Sequence, residues 1–337
     1  MASGVRLSRV RIFFRHLMPR RAAPDLHLLT KVSTLYYIGQ QTQQQIADRL
    51  RLSRPRISRL LADAQERGIV QITIAPPTGL HTELESRLEA EFGLEEAMVV
   101  EVDGRESDDM VRRHIGAAGA EHLWRTLMPG DSIGLAWGTT LEAMVQAMPP
   151  RAAERITVVQ TLGGIGPPDH EAYAASIARR LATALDAAPV LLPAPGIVAS
   201  PGVRDALRAD PHVQAALGRL DALDVIYVGI GSLSSNPLLT DGQTIPTKAL
   251  KELQRAGAIG DIALRFFDVS GRFVRTSLDE RILGITPEQL QRHKRVVALA
   301  GGKKKIDAMR AALRAGVVNV LITDQATARA LLNGTNG

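Results

Sequence analysis

The sequence predicts an α/β protein in two parts: a small helix-turn-helix module at the amino end and a larger, doubly wound domain of the Rossmann type. Three observations carry this. Residues 42–68, TQQQIADRLRLSRPRISRLLADAQERG, show apolar residues at helical spacing on both sides of a tight Arg51-Leu52 turn. Charge is unevenly spread, with 13 Lys and Arg against 4 Asp and Glu in residues 1–70, but 28 against 31 in the rest. From residue 97 onward, short Val/Ile/Leu-rich runs alternate with stretches of helical length, the pattern of a mostly parallel sheet covered by helices.

Composition narrows the class. A chain of 337 residues with 45% hydrophobic content is long enough for one small and one large core. No apolar run approaches the length of a membrane-spanning helix. The absence of cysteine excludes disulfides and thiolate metal sites and fits a cytoplasmic protein. The eight histidines show no HxxxH or HxH pairing, so neither a metal nor another cofactor is expected.

In chain order, residues 1–25 form an Arg-rich, acid-poor extension whose apolar stretch is broken by Arg15. That argues against a signal peptide; a basic arm touching the DNA backbone and a true start at Met18 are the alternatives, and disorder is expected under either. Residues 26–76 form the helix-turn-helix domain. A first helix over 26–39 places Leu28, Leu29, Val32, Leu35 and Tyr36 behind the pair that follows. In that pair, Ile46, Ala47 and Leu50 form one inner face, and Ile57, Leu60, Leu61 and Ala64 the other. Ser53 is placed to cap the second helix, with Pro55 in its first turn and Gly68 as its stop. Its outer face carries Arg54, Arg56, Ser58 and Arg59. Together with Gln43 and Ser53 these are the candidate DNA contacts, positioned to reach a major groove if the helix lies in one. A solvated helical hairpin has the same pattern, but the local excess of cations favours a nucleic-acid partner. Residues 69–74 alternate with period two and predict a short wing strand. Pro76-Pro77-Thr78-Gly79 then marks a domain boundary.

The second domain spans 77–333. It opens with an acidic helix bearing Leu80, Leu84, Leu88 and Phe92. Strands are predicted over 97–102, 131–136, 156–162, 190–193, 224–230, 261–268, 296–300 and 318–323. Helices are predicted over 110–128, 140–148, 171–187, 203–219, 246–256, 303–315 and 324–333. Ligands of open parallel sheets collect where strands end and helices begin. Trp137-Gly138-Thr139-Thr140 joins a strand to a helix with hydroxyls and free amides, an anion cradle or simply a turn with its cap. Gly163-Gly164 follows the next strand and lets backbone approach a ligand, without the spacing of a dinucleotide fingerprint. Lys303-Lys304-Lys305 opens a helix after Gly301-Gly302, where cations oppose the helix dipole unless an anion binds or solvent screens them. Asp261 and Asp324 stand at loop positions suited to accepting sugar hydroxyls, though Asp324 equally suits a helix cap.

Taken together, these motifs resemble a known family. QQQIADRLRLSRPRISRLLADAQERGIVQITI is similar to the DNA-binding module of SorC/DeoR-type sugar-binding transcriptional regulators. IGLAWGTTL, VVQTLGG, LPAPG, DVIYVGIGSL, GAIGDI, VVALAGGKKKIDAMRAAL and NVLITDQATARALL resemble successive blocks of that family's effector domain. The resemblance covers residues 27–333 and leaves the basic extension outside it. It implies a phosphosugar-isomerase-like fold, a sugar or phosphorylated sugar as effector, and a dimer or tetramer on the operator DNA of a carbohydrate-utilisation operon. It also implies that Gly138, Thr139 and Thr140 hold the effector's phosphate while Asp261 and Lys305 line the pocket. Trp137 departs from the small polar residue of many relatives, and there it narrows the cavity or stacks on a sugar ring. The competing class is an active phosphosugar isomerase or deaminase with an appended DNA-binding module. Asp261, His170 and Lys305 are its candidates, but no paired acid–base constellation is visible, and a non-enzymatic protein is expected.

Overall fold

The computed structural model describes residues 25–72, 81–104, 106–164, 168–234 and 245–334. The basic extension up to residue 24, the last two residues of the predicted wing and the Pro76–Gly79 boundary lie outside them. Contacts divide the chain into two units, Met1–Ala75 and Pro76–Gly337.

Among its described residues the first unit holds three α-helices. Helix α1 (Leu26–Ser33) runs on as a π-helical turn (Thr34–Ile38) before Gly39. Helix α2 (Gln43–Leu50) starts at Thr42, whose hydroxyl and the Gln45 side chain cap each other's amides. Helix α3 (Arg54–Glu66) follows after Arg51-Leu52-Ser53. Val32, Leu35, Ile46, Ala47, Ile57 and Leu61 form the shared core, as the spacing predicts. Ser53 has the extended backbone of a helix cap, but its hydroxyl accepts no capping hydrogen bond, contrary to the reading of the sequence. The predicted wing does not form over residues 69–72. Gly68 has φ 71° and the Val70 amide donates to Ala64 O (3.1 Å), and residues 69–72 pair with no strand among the described residues.

The second unit begins with α4 (Thr82–Phe92), which packs on β1 (Glu96–Val100). Then come α5 (Asp108–Thr126), β2 (Ser132–Leu135), α6 (Thr139–Ala147), β3 (Thr157–Gln160), α7 (Pro168–Leu185) and β4 (Ala188–Val190). Next are α8 (Pro201–Ala209), α9 (Pro211–Gly218), β5 (Val225–Gly229), β6 (Gly231–Ser232), α10 (Thr247–Arg255), β7 (Ala258–Ile262) and β8 (Arg265–Asp268). The chain closes with α11 (Pro287–Arg292), β9 (Val296–Leu299), α12 (Ile306–Arg314), β10 (Val320–Asp324) and α13 (Gln325–Asn333). Among the described residues, seven strands form one wholly parallel sheet in the order β1-β10-β9-β5-β2-β3-β4. The central strands are buried on both faces, which their predominance of Val, Ile and Leu demands. The edge strand β1 is covered by α4, where Glu89 Oε1 and Glu85 Oε1 accept from the Ala97 and Val99 amides (2.9 Å each). Those carboxylates occupy donors that an open edge would offer to another chain.

Three predicted elements are corrected. The single strand expected over 261–268 is the hairpin β7–β8, antiparallel, in a second sheet with β6. Its turn residues Ala263 and Leu264 both have positive φ (52° and 59°), and the Asp261 carboxylate holds the Leu264 amide (3.1 Å). The helix expected over 203–219 is split at Asp210, which caps α9 as Pro211 starts it. Lys303–Lys305 form a 3₁₀ turn ahead of α12 instead of that helix's first turn.

Candidate functional site

The chain leaves β2 towards β3 and β4, then returns to β5 on the opposite side of β2. Such a reversal opens a crevice outside the carboxyl ends of the two diverging strands. Because the sheet is parallel, the segments following β1, β2, β5, β9 and β10 all emerge at this one edge.

Trp137 and Gly138 are half-buried there, Thr139 is exposed and Thr140 is buried. Gly138 has φ 138° and ψ 156°, a conformation open essentially only to glycine, and it stands at the cap position of α6. No side chain caps α6, so its leading amides remain available as donors. Trp137 packs against the main core and against a smaller cluster that contains Leu264, the residue whose amide holds Asp261.

Asp261 pairs across the second sheet with Gly231, just beyond β5. Its carboxylate is 7% exposed, with Oδ2 on the Leu264 amide and Oδ1 without a hydrogen-bond partner among the described residues. Burial raises its pKa to about 6, while the Leu264 amide and the charge of Lys305 draw it back down. Lys305 is lowered by burial, against the raising influence of Asp261. Arg112 lowers it further and Asp108 opposes this, both in α5. Asp261 and Lys305, both expected from the resemblance to line one pocket, thus act on each other's charge, and the α5 residues Asp108 and Arg112 act on Lys305. Asp108 is the exposed first residue of α5 and Arg112 lies one turn further on, half-buried, and nothing local to their sequence signals that role.

Gly163 and Gly164 are placed differently. The Gly163 amide donates to Leu283 O (3.1 Å) and the Gly164 amide to Ala194 O (3.0 Å). A β-carbon on Gly163 would stand 2.4 Å from Ala194 O. These glycines clasp two neighbouring segments to the end of β3, and their amides are committed to that clasp. Asp324 caps α13 and also accepts from Gly302 N (3.2 Å) and Thr327 Oγ1 (2.6 Å), which occupies both its oxygens. Position 170 falls in the first turn of α7.

In the first unit, Ser53, Arg54, Arg56, Ser58 and Arg59 are exposed along the leading half of α3, and Gln43 is half-buried at the start of α2. Arg59 Nε donates to Pro55 O (3.3 Å). Arg54, Arg56 and Arg59 make no ion pair among the described residues, in contrast with Arg67, which binds Asp63.

The opposite, amino edge of the parallel sheet carries a buried polar group that the sequence reading did not identify. His122 Nδ1 and Tyr227 Oη are 2.9 Å apart, and Glu96 lies between His122 and Arg125. Burial holds His122 below the ordinary histidine value, against the raising pull of Glu96, and pushes Tyr227 above the usual phenol range. Two cavities of about 260 and 180 Å³ lie nearby, both lined in part by Leu127 and Met128, and neither is lined by a predicted site residue.

Comparison with known proteins follows the same division. The family model "Putative sugar-binding domain" matches residues 77–333. The chain is 33% identical over 306 residues to the deoxyribonucleoside regulator of Bacillus subtilis, covering 91% of this chain and 97% of that protein. It is 32% identical over 314 residues to the sorbitol operon regulator of Klebsiella pneumoniae, covering 91% and 98%. The crystal structure of that full-length regulator, SorC, superposes with a TM-score of 0.71 at 31% identity, covering 92% of this chain and 99% of that one.

Proposed function

The chain belongs to the SorC/DeoR-type family of sugar-binding transcriptional regulators, and from that footing we propose that it binds operator DNA of a carbohydrate-utilisation operon under the control of a sugar or sugar phosphate. On this reading residues 26–76 are the DNA-binding domain and residues 77–333 the effector domain of a cytoplasmic homo-oligomer. No described helix is long and apolar enough to cross a membrane.

The observation that carries the effector reading is the buried Asp261 Oδ1, without a partner among the described residues at the switch point of the sheet and under the charge of Lys305. A buried carboxylate oxygen with no donor is costly, and a ligand hydroxyl supplies the missing hydrogen bond. The uncapped start of α6, with Gly138, Thr139 and Thr140, offers donors for a phosphate, and Lys305 offers charge. Trp137 supplies an apolar wall. In the other unit Arg54, Arg56 and Arg59, which make no ion pair among the described residues, present cations and fork-shaped donors to a major groove. Effector binding shifts DNA affinity only by its differential affinity for two subunit arrangements. That arrangement sets the spacing of paired α3 helices against half-sites about 34 Å apart.

The test is fluorescence anisotropy at fixed salt on a duplex from upstream of the protein's own operon, with a panel of sugars and sugar phosphates. Saturable binding altered by one compound is the expected result. Arg56→Ala or Arg59→Ala is expected to weaken operator binding and leave effector binding intact. Binding no tighter than to a random duplex, together with turnover of a sugar phosphate, would replace this reading with the isomerase.

A further inference from the structure

We propose that Arg51 is a contact to the sugar–phosphate backbone of DNA, an assignment that rests on the DNA-binding reading above and adds a residue to it. Helix α2 closes with two backbone bonds, Leu52 N to Ala47 O (2.9 Å) and Arg51 N to Asp48 O (3.4 Å). This closure puts Arg51 in the left-handed region, at φ 55° and ψ 44°. Glycine suits that position because a β-carbon there crowds the backbone. Leu52, the next residue, packs into the three-helix core, so the turn itself is required by folding. The arginine is not. Its residue is exposed, and it makes no side-chain hydrogen bond or ion pair among the described residues. A strained conformation occupied by a side chain with no intramolecular partner points to a partner outside the chain.

The placement says which partner. Arg51 lies two residues ahead of the α3 cap position, at the end of α3 that also presents Arg54 and Arg56. When the leading end of a recognition helix enters a major groove, the turn before it stands over the flanking phosphates. An unpaired guanidinium there meets an anion that carries no sequence information. Arg51 therefore adds affinity equally on all duplexes, while Arg54 and Arg56 are placed to read base edges.

The experiment measures full-length protein on the upstream duplex and on a random duplex, from 50 to 300 mM salt (on the order of the range in which phosphate contacts dominate). It compares Arg51→Gly, Arg51→Lys and Arg56→Ala with the unaltered chain. Each phosphate contact contributes a slope of about 0.9 in log affinity against log salt, or roughly eightfold in affinity at 0.1 M. Arg51→Gly is expected to lose about that factor on both duplexes, to flatten the slope by about 0.9 and to melt no lower than the unaltered chain. Arg51→Lys is expected to restore the slope. An unchanged slope in Arg51→Gly, with operator preference lost in Arg56→Ala, overturns the assignment and spares the DNA-binding reading. Operator binding unaffected by either substitution overturns both. A lowered melting temperature in Arg51→Gly makes Arg51 a folding residue and also overturns the assignment.

Discussion

Replacing Asp261 with Asn is expected to stabilise the larger unit at neutral pH while weakening its effector. The carboxylate is buried, one oxygen has no partner among the described residues, and its pKa rises from 3.8 to about 6. The folded chain therefore holds its proton where the unfolded chain has released it. A raised carboxylate pKa gives stability that is full below the unfolded value and is lost as pH climbs through the folded value. About two pKa units correspond to roughly 3 kcal/mol withdrawn between pH 4 and pH 7. Asn cannot ionise, and its carbonyl can still accept from the Leu264 amide. His122 works in the opposite direction over an overlapping range, since its pKa is lowered and its contribution grows with pH. Only the difference between the two chains isolates Asp261. Both tryptophans, Trp124 and Trp137, lie in the larger unit, so tryptophan fluorescence during urea unfolding reports that unit alone. The stability of Asp261→Asn minus that of the unaltered chain should rise by about 3 kcal/mol from pH 4 to pH 7.5. A difference that stays flat over this range, or falls, refutes the assignment of a buried carboxylate whose charge is disfavoured.

Two further outcomes follow from the same geometry. Thr139→Ala with Thr140→Ala should abolish the anisotropy response to effector and leave basal operator binding unchanged, and a normal response would dismiss the cradle at α6. Gly163→Ala drives a methyl group against Ala194 O and should lower stability by roughly 1–3 kcal/mol or more; thermal melting at the unaltered value would show that the clasp yields freely.

The clasp and the hairpin mark where sequence reading stops. Apolar periodicity placed α2, α3 and the strands of the parallel sheet, because burying one face of a helix or both faces of a strand is written into residue order. The local excess of cations marked the leading face of α3 in the same way, and Gly138 ahead of two threonines marked a strand ending in a helix. Residues 261–268 read as one strand because Ala263 and Leu264 carry no turn signal. Their left-handed backbone is held from outside the local sequence, by the Asp261 carboxylate and by the core that closes over Leu264. Gly163-Gly164 read as room for a ligand, yet that room is taken by the segments around Ala194 and Leu283. The coupling of Asp261 to Lys305 likewise exists only once β7 packs on α12 and the ends of the parallel strands share one edge. Residue order by itself determined which segments form elements and which face of each is buried, since both follow from local spacing. Tertiary structure alone decided which loops meet, which glycine amides are already occupied and which carboxylate is left without a partner, because those depend on neighbours remote in sequence.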